Sequence, residues 1–568
     1  MSRWVIGAAW PYTNAVPHLG TLIGSVLSAD VVARFLRMKG EEVIFVSGSD
    51  EHGTPIEVEA RKRGVDPKVL TDKMHELVAE LFRKWNISFD NYTRTENPLH
   101  KEFVREIFTK IYRNGYIFTK EIEVLFCEKC GIYLPDRFVE GKCPFCGYEF
   151  AKGDQCENCG RLLDPVQLVE PHCVFCGSKP VVRKVKHWFI DLPKLEPEIR
   201  KYIESNDRLP ENAKNMSLSI LREGLRPRCV TRDNKWGIPA PFPGAEDKTI
   251  YVWFDAVLGY ISATIEYFKK LGKEEEWKKF WLNPDTKVVF FIGKDNIPFH
   301  TIILPALLIA SGEKFVLPWT VASTEYLLFE GRKFSKSKRV GIWIDEALEL
   351  LPADYWRFAL LYMRPETRDM SFSWELLQEI VNTQLNDVIG NFIHRVLTFV
   401  KKNFNGEIPR VEKLYPEDVR FQELIVKVVD EVDNLLMNMR IRDALLKVIE
   451  LAREGNRFLN ERAPWTKIKT SREEAASIMF VAIHAVKALA IMLAPFIPTF
   501  ANEIWRQLGY SDDVTSRRWD EAKKPVTAGQ KLGEVRPVFK KISNHELEEL
   551  KKRLQKIRAE GKVPSARI

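Results

Sequence analysis

Two short, mostly apolar runs near the N-terminus flank a segment with helical periodicity. Residues 4–9 and 43–48 form these runs, and each ends in a polar loop that contains glycine. Between them, apolar side chains recur every three or four residues, at Leu22, Val26, Ala29, Ala33 and Leu36. This order predicts a strand, a helix and a parallel strand. A third run, residues 287–293, indicates another buried strand.

From residue 374 onward the pattern is helical almost throughout. One apolar row comprises Leu376, Ile380, Leu385, Ile389, Ile393 and Val396. The chain ends in a basic segment whose apolar residues line one side of an amphipathic helix, at Leu547, Leu550, Leu554 and Ile557. We therefore predict an α/β part with a parallel sheet, followed by an all-α helical bundle.

Composition excludes several classes of protein. The 568 residues are 45% hydrophobic and 29% charged, as in ordinary folded proteins, and this length suggests about four domains. The net charge of +8 permits a polyanionic partner without requiring one. The N-terminus lacks the features of a signal peptide. The longest apolar stretch, residues 481–500, contains His484, Lys487 and two prolines, so we expect a buried helix and no membrane span.

Eight of the nine cysteines form four Cys-x-x-Cys pairs: Cys127 and Cys130, Cys143 and Cys146, Cys156 and Cys159, and Cys173 and Cys176. Each pair is followed by a glycine, at Gly131, Gly147, Gly160 and Gly177, which suits a tight turn that presents two thiolates to one metal ion. Two pairs complete one tetrahedral site, so four pairs predict two structural zinc ions.

Other uses of these cysteines are less favoured. Disulfides need an oxidising compartment, and the even spacing with glycines suits zinc better than an iron–sulfur cluster. Cys229 has no sequence partner. Spacing alone leaves both a sequential and a nested pairing of the four motifs open. Because the cysteine segment lies between the second and third apolar runs, we expect a zinc module inserted within the α/β domain.

The carboxyl ends of the three predicted strands carry candidate chemistry, and ligands of parallel sheets bind at such ends. His18, Gly20 and Thr21 begin the first helix and offer an imidazole, a close backbone approach, a hydroxyl and free amides, which suits phosphate. Taken alone, this motif also fits a simple helix cap. Residues 333–337, Lys-Phe-Ser-Lys-Ser, could hold a triphosphate, although such runs are more often solvated basic loops.

Together these residues resemble a class I aminoacyl-tRNA synthetase, with residues 18–21 and 333–337 in the places of the HIGH and KMSKS signatures. The finer resemblance is to the methionyl-tRNA synthetase family, and it covers residues 1 to about 530. It rests on AWPY at 9–12, DEHGTPI at 50–56, LPDRF at 134–138, YVWFDA at 251–256 and APW at 463–465.

The sequence departs from the family pattern in two signatures and lacks one module. Thr21 stands where the HIGH element has its second histidine, and Phe334 replaces the methionine of KMSKS. An additional C-terminal module found in some relatives is missing, and the insertion leaves no room for a large editing domain. By analogy the nested zinc pairing is favoured: Cys127, Cys130, Cys173 and Cys176 on one ion, and Cys143, Cys146, Cys156 and Cys159 on the other.

The resemblance implies a Rossmann-type catalytic domain split by a zinc-knuckle insertion. It divides the chain into a first catalytic half (1–116), the zinc-bearing insertion (117–235), a second catalytic half (236–320), a KMSKS connector (321–373), a helical anticodon-binding domain (374–530) and a basic C-terminal extension (531–568). A cytoplasmic, monomeric chain is expected.

The implied reaction joins methionine to tRNA in two steps at the expense of ATP, with Mg²⁺ on the nucleotide. His18 and Thr21 would stabilise the α-phosphate side, and Lys333 and Lys336 the β- and γ-phosphates. The remaining nucleotide contacts would come from Asn14, Gly20, Lys294 and Asp295. For methionine, Asp50 would anchor the ammonium, and the side chain would be walled by Trp10, Tyr12, Trp253, Val257, Tyr260 and His300. Each aromatic residue alone could equally be core.

For tRNA(Met), the resemblance assigns the anticodon to Asn386, Arg395 and Trp465, by stacking and hydrogen bonding. Asn391 is an alternative to Asn386, and helix packing is the alternative use of the polar residues. A second hypothesis is a zinc-knuckle RNA-binding protein on a synthetase-like scaffold that no longer catalyses. The presence of His18, Lys333 and Lys336 argues against it.

Overall fold

The centre of the N-terminal part is a five-stranded sheet in which all neighbouring strands are parallel. In spatial order the strands are Thr320–Thr324, Lys287–Gly293, Arg3–Ala8, Glu42–Ser49 and Asn91–Arg94. The three predicted strands are confirmed. The two edge strands were not predicted, because they are short and rich in polar residues and lack a clear apolar run. This computed structural model describes residues 1–159, 161–336 and 338–567, so Gly160, Ser337 and Ile568 lie outside the described residues.

The predicted first helix consists of Leu19–Thr21, a π-helical turn at Leu22–Val26, and Leu27–Lys39. By length and composition alone, Leu19–Lys39 and Arg472–Leu493 could cross a membrane, but 83% and 94% of their most apolar windows are buried in the protein. Both are therefore core helices. The other helices of the α/β part are Thr54–Arg63, Pro67–Lys84, Pro98–Arg113, Val252–Val257, Gly259–Lys270, Trp277–Trp281, Phe299–Ile303 (π-helical), Leu304–Ala310, Ile344–Leu350 and Ala353–Tyr362.

The cysteine segment lies at the tip of two long antiparallel strands, Ile117–Cys127 and Val181–Ile190. It packs back onto the Thr54–Arg63 helix, where the Arg61 guanidinium lies 4.2 Å from the centre of the Phe175 ring. The insertion also contains a small sheet of Val139–Lys142, Ala151–Lys152 and Val169–Cys173, and the helices Leu192–Ser205 and Glu211–Glu223. The predicted insertion within the α/β part is confirmed.

The C-terminal part is helical, as predicted. Its helices are Trp374–Glu379, Ile380–Gly390 (π-helical), Asn391–Asn403, Pro416–Met437, Ile441–Arg462, Pro464–Thr470, Arg472–Leu493, Pro498–Gln507 and Asn544–Ala559. Residues 481–493 lie in the buried helix Arg472–Leu493, as expected. The helix ends at Leu493 and does not continue to residue 500, because the prolines at 495 and 498 lack a backbone N–H. His484 and Lys487 are buried in it and bond the carbonyls of Ala522 and Lys524.

A buried arginine joins the sheet domain to the helical part. Arg357 is fully buried; it donates to the Asp30 carboxylate at 2.7 Å and to the carbonyl of Phe496 at 2.8 Å. Further carbonyl contacts reach Trp85 and Pro495. Burial alone would raise the pKa of Asp30, but the charges of Arg34 and Arg357 outweigh it and lower that pKa to about 2.

We expect Arg357→Ala to destabilise the protein by about 3–5 kcal/mol, because it leaves the Asp30 carboxylate buried without this partner. The ion pair stabilises the fold above the unfolded pKa of about 3.9, and this contribution is lost as pH falls from about 4 to 2. Thermal unfolding of the wild type and the variant at pH 7 and pH 2 measures the effect, and the difference between their midpoints should be smaller at pH 2. The control is Arg420→Ala, which removes an exposed ion pair with Glu417 and leaves the unfolding midpoint unchanged. Equal midpoints for both variants would contradict the assigned role.

Candidate active site

The sheet contains a switch point between two adjacent strands. From Arg3–Ala8 the chain proceeds to one side of the sheet, and from Lys287–Gly293 it proceeds to the other. Crevices that bind ligands form at such points, outside the carboxyl ends of the strands. Tyr12, Asn14 and His18 follow the first of these strands. Lys294, Asp295 and His300 follow the second.

His18 is held as a neutral hydrogen-bond donor. The backbone N–H of Thr21 donates to its Nδ1 at 3.1 Å, so the ring proton resides on Nε2. Burial lowers the pKa of His18 to about 4, which keeps the ring uncharged at neutral pH. The hydroxyl of Thr21 lies 3.4 Å from the same Nδ1. Thr21, in the place of a second histidine, thus orients the first.

The loop with two lysines meets this element directly. Lys336 donates from Nζ to the Asn14 carbonyl at 2.9 Å, and burial lowers the pKa of this lysine. Phe334 stacks on His18 with ring centres 4.4 Å apart. The loop is closed by two backbone hydrogen bonds of 2.9 Å between Ser335 and Val340. The two predicted phosphate elements are therefore adjacent.

Tyr326 contacts three residues predicted to bind the nucleotide: Lys294, Asp295 and Lys333. Its hydroxyl donates to Asp295 at 2.5 Å, and its ring lies 4.0 Å from the Lys294 ammonium and 4.7 Å from that of Lys333. Lys294 also forms an ion pair with Glu325 at 2.5 Å. Sequence reasoning misses Tyr326, because it follows the Thr320–Thr324 strand, which has no strong apolar signal.

Asp50 presents a carboxylate oxygen with no assigned partner. The residue is 3% exposed, and its Oδ1 is buried without a hydrogen-bond partner among the described residues. Its backbone is fixed by Thr13, whose N–H donates to the Asp50 carbonyl at 3.0 Å. Burial, then the charges of Asp255 and Glu51, raise the pKa of Asp50. A cationic group next to Oδ1 would remove both the unpaired oxygen and the uncompensated charge.

Two of the predicted wall residues, Tyr12 and Tyr260, lie near this carboxylate. Tyr12 donates to the carbonyl of His52 at 2.5 Å, and Tyr260 shares a 2.9 Å hydrogen bond with Nε2 of His300. Burial and then the charge of Asp50 raise the pKa of both phenols, which places them near it. Trp10 meets Tyr260 edge-on at 6.3 Å.

The last two predicted wall residues differ in exposure. Trp253 is 36% exposed and stacks on Phe299 with ring centres 4.8 Å apart. Val257 is 4% exposed and packs in the same hydrophobic core as Tyr260. Trp253 is thus available to a ligand, whereas Val257 lies in the core.

A buried charge network behind the pocket was not predicted. His52 contacts Asp255 from Nδ1 at 2.9 Å and Glu96 from Nε2 at 2.7 Å, and Asp255 also meets His100 at 3.2 Å. Burial alone would lower the pKa of His52, but the two carboxylates raise it to about 10. His52 and Asp255 are therefore a compensated ion pair, unlike Asp50. His52 lies in the DEHGTPI motif and Asp255 in the YVWFDA motif. They are 203 residues apart in the chain, so the sequence of either motif does not reveal that the two side chains are in contact.

The cysteine sulfurs form two groups of four, each within 4.8 Å: Cys127, Cys130, Cys173 and Cys176, and Cys143, Cys146, Cys156 and Cys159. The sulfur–sulfur distances are 3.4 Å for Cys127–Cys176 and 4.0 Å for Cys130–Cys173 in the first group, and 3.9 Å for Cys143–Cys159 and 3.6 Å for Cys146–Cys156 in the second. A tetrahedral zinc ion with Zn–S bonds of about 2.3 Å spaces its ligands about 3.8 Å apart. The grouping is the nested one, and it fits two zinc ions.

The turns after the cysteine pairs have the predicted backbone. Gly131, Gly147 and Gly177 have φ of 66°, 74° and 71°, in the left-handed region that favours glycine. These turns belong to a module that touches the crevice loops through Arg137, whose N–H donates to Thr54 Oγ1 at 3.4 Å. Because four thiolates complete a tetrahedral site, a metal ion held by either group has no open position for a substrate, as in structural zinc sites.

In the helical part, the structure brings Arg395 and Trp465 together. The guanidinium lies 5.3 Å from the centre of the Trp465 ring, which is 43% exposed beside a cavity of about 290 Å³. Arg395 donates to Asn456 at 3.1 Å, and Asn391 donates to the same oxygen at 3.4 Å. Asn386 instead bonds its neighbour Asp387. The alternative residue, Asn391, is thus the one that shares a partner with Arg395.

Two known sequence families match this chain, each over a different part of it. Residues 4–397 match the family described as tRNA synthetases class I (M). Residues 408–559 match the anticodon binding domain of methionyl tRNA ligase. Together these matches span the sheet domain, the insertion and the helical part.

Individual relatives agree with the family matches. A methionine–tRNA ligase of Pyrobaculum aerophilum is 60% identical over 98% of this chain and 97% of its own length. That of Korarchaeum cryptofilum is 55% identical over the whole of both chains. A Mycobacterium tuberculosis methionyl-tRNA synthetase solved with methionyl-adenylate has a TM-score of 0.79 at 23% identity, covering 95% of this chain and all of the other. At that identity the last comparison establishes the fold.

We predict two zinc equivalents per chain by elemental analysis. Cys127→Ser removes one ligand of one site and should lower the content to about one equivalent, because an incomplete site binds zinc far more weakly. Cys229→Ser is the matched control, since Cys229 lies outside both groups, and it should retain both ions. Full retention of zinc in Cys127→Ser would contradict the grouping.

Proposed function

The chain belongs to the methionyl-tRNA synthetase family, and from that premise we propose how its own residues carry out the reaction. It is an ATP-dependent methionine–tRNA ligase. In the first step, the methionine carboxylate attacks the α-phosphorus of ATP and releases pyrophosphate. In the second step, the terminal adenosine of the tRNA takes the methionyl group. Neither step needs a covalent intermediate on the protein, so its contribution is positioning and charge stabilisation.

The observation that carries the proposed site is the buried Asp50 carboxylate, whose Oδ1 has no hydrogen-bond partner among the described residues. It lies near Tyr12 and Tyr260, at the same carboxyl end of the sheet as the contact between Lys336 and Asn14. A zwitterionic amino acid fits this arrangement, with its ammonium on Asp50 and its carboxylate towards the nucleotide. Trp10, Trp253 and His300 complete an aromatic wall suited to a thioether. Val257 contributes from the core.

On the nucleotide side, His18 donates from Nε2 to the α-phosphate. It acts as a dipole and not as a cation, because its ring is neutral at physiological pH. Thr21 holds the ring, and Gly20 allows close approach of the phosphate. Lys333 and Lys336 neutralise the β- and γ-phosphates together with Mg²⁺.

The other nucleotide residues are already ordered by Tyr326. Lys294 and Asp295 both contact it, so the ribose and base side would meet a preformed surface. Asn14 supplies the carbonyl that holds Lys336 in place. Preorganisation of this kind removes reorganisation cost from the reaction step.

For tRNA(Met), we propose that Trp465 stacks on an unpaired anticodon base of the CAU triplet. Arg395 accompanies it, and Asn391 is a better candidate than Asn386 because it shares a partner with Arg395. The two zinc ions are structural and take no part in either step. We further propose the six-segment division given above, a cytoplasmic location and a monomeric chain.

Asp50→Asn should raise the KM for methionine about 10- to 100-fold, because a charge-assisted hydrogen bond to the ammonium is replaced by a neutral one. The KM for ATP should change less than twofold. Methionine-dependent exchange of pyrophosphate into ATP measures both values. Asp285→Asn, at an exposed position, is the control. Wild-type exchange that is equal or greater with isoleucine, valine, leucine or cysteine would refute the assignment to methionine.

Lys336→Ala should lower pyrophosphate exchange and aminoacylation about a hundredfold, the usual effect of removing one group that stabilises transition-state charge. Binding of tRNA should persist. Lys338→Ala, an exposed lysine of the same loop, is the matched control. Unchanged aminoacylation in Lys336→Ala would disprove the assigned role. A wild-type chain that binds tRNA without any exchange activity would favour the non-catalytic RNA-binding alternative.

A further inference from the structure

The C-terminal extension reaches the KMSKS loop, which the proposed function does not explain. The extension leaves the helical part at residues 540–543, where Asn382 and Ile542 exchange hydrogen bonds of 2.8 and 2.7 Å. The Asn544–Ala559 helix then runs to the connector, with Leu547, Leu554 and Ile557 buried against the core. The final turn, Pro564–Arg567, follows it.

Arg558, near the end of this helix, forms hydrogen bonds with Gly341 and Glu346, where the chain leaves the loop; these two residues are called the loop base below. Its Nη2 donates to the Gly341 carbonyl at 2.6 Å and to Glu346 Oε2 at 2.8 Å, and its Nε donates to Glu346 Oε1 at 2.7 Å. The Glu346 side chain is only 2% exposed. This bidentate contact with a buried carboxylate is the strongest and most directional kind of ion pair. One guanidinium thus fixes both a carboxylate and the backbone of the loop.

Gly341 packs so closely against Phe334 that a small movement of its backbone would displace that ring. Its φ is 129°, and a Cβ built there would lie 2.2 Å from Cδ1 of Phe334. Phe334 in turn stacks on His18. A shift of the Gly341 carbonyl is therefore transmitted through Phe334 to the phosphate-binding imidazole.

The residues after Gly341 are bonded to the other phosphate element. Ile342 accepts from the N–H of Leu19, and Ile344 donates to the carbonyl of Pro17, each at 3.0 Å. Trp343, between them, donates its backbone N–H to the same Glu346 carboxylate at 3.1 Å. Arg558 therefore sits on the short segment that connects the two phosphate elements.

A second contact of the extension lies on the same acidic helix. Ser565 donates from its N–H and its hydroxyl to the two oxygens of Asp345, at 2.9 and 2.6 Å. Lys562 lies 3.6 Å from Glu349. The three acidic residues of the Ile344–Leu350 helix that meet the extension are thus each paired with it.

We propose that Arg558 is a positioning residue for adenylate formation: by holding the Gly341 carbonyl and Glu346 it sets the pose of the loop that carries Lys333 and Lys336. This inference rests on the proposed function of that loop. Arg558 touches neither substrate, and it acts through the loop.

The test compares Arg558→Ala and Arg558→Lys with the wild type in the full chain. In pyrophosphate exchange, Arg558→Ala should lower kcat/KM for ATP about tenfold, as expected for loss of charge-assisted hydrogen bonds, while the KM for methionine stays within twofold. Arg558→Lys keeps the charge but not the fork, and should recover part of the loss. Lys551→Ala is the matched control: it removes the 3.0 Å ion pair of the same helix with Glu375, remote from the loop.

A readout independent of activity is tryptic cleavage after Lys336, Lys338 and Arg339, mapped by mass spectrometry without substrates. Release of the loop base should speed this cleavage severalfold in Arg558→Ala and not in Lys551→Ala. Unchanged ATP kinetics with unchanged cleavage would overturn the proposal. So would an equal loss for ATP and methionine that tracks a lowered unfolding midpoint, since that indicates general destabilisation. If the wild type showed no methionine-dependent exchange, the proposed function would fail, and the cleavage rates alone would decide the role of Arg558.

Discussion

The active site depends on the parallel pairing of two strands that lie about 280 residues apart in the chain. Arg3–Ala8 and Lys287–Gly293 pair in register from Trp4 with Lys287 to Ala8 with Phe291. This pairing places the loop of His18 beside the loop of Lys294, and it creates the crevice between strands that lead to opposite sides of the sheet. The insertion, the connector and the extension all return to loops around this crevice, through contacts such as Arg137 with Thr54 and Arg558 with Gly341.

The charges around the crevice divide into compensated and uncompensated groups. The His52 imidazolium lies between Asp255 and Glu96, Lys101 supplies a second cation at Glu96, and Arg357 pairs with Asp30, so these charged groups serve the protein's own structure. Among the described residues Asp50, Glu51 and Asp354 each have a buried oxygen without a hydrogen-bond partner. Glu51 and Asp354 form ion pairs with Arg94 and Arg357, whereas Asp50 forms no ion pair in the described part of the chain, so Asp50 is the buried acid best suited to a cationic ligand group. On the phosphate side, the neutral His18 and the partly desolvated Lys336 are likewise free of a charged partner in these contacts. The Thr21 N–H orients His18, and the Asn14 carbonyl orients Lys336.

How much the sequence predicts follows from how local each signal is. The three inner strands, the first helix and the cysteine knuckles are encoded by patterns within about 20 residues, and they are confirmed. The edge strands Asn91–Arg94 and Thr320–Thr324 lack such a pattern, and with the second of them Tyr326 is missed. The nested zinc grouping required the resemblance, because spacing alone is symmetrical between the two pairings. The contacts of Arg558 depend on how the C-terminal extension folds back, which no local pattern encodes.

The separation of the two central strands also has a consequence for synthesis of the chain. The edge of Arg3–Ala8 that faces Lys287–Gly293 has no partner until residue 291 has been made. At 5–20 residues per second this interval is roughly fifteen seconds to a minute, during which an apolar strand edge is exposed. The zinc module and its two long strands, Ile117–Cys127 and Val181–Ile190, are complete well before then. The zinc-bearing tip has a small core of its own, which includes Leu125, Phe138 and Val139, and all of it is made before the second half of the catalytic sheet. Late assembly of the sheet is thus built into the order of the chain.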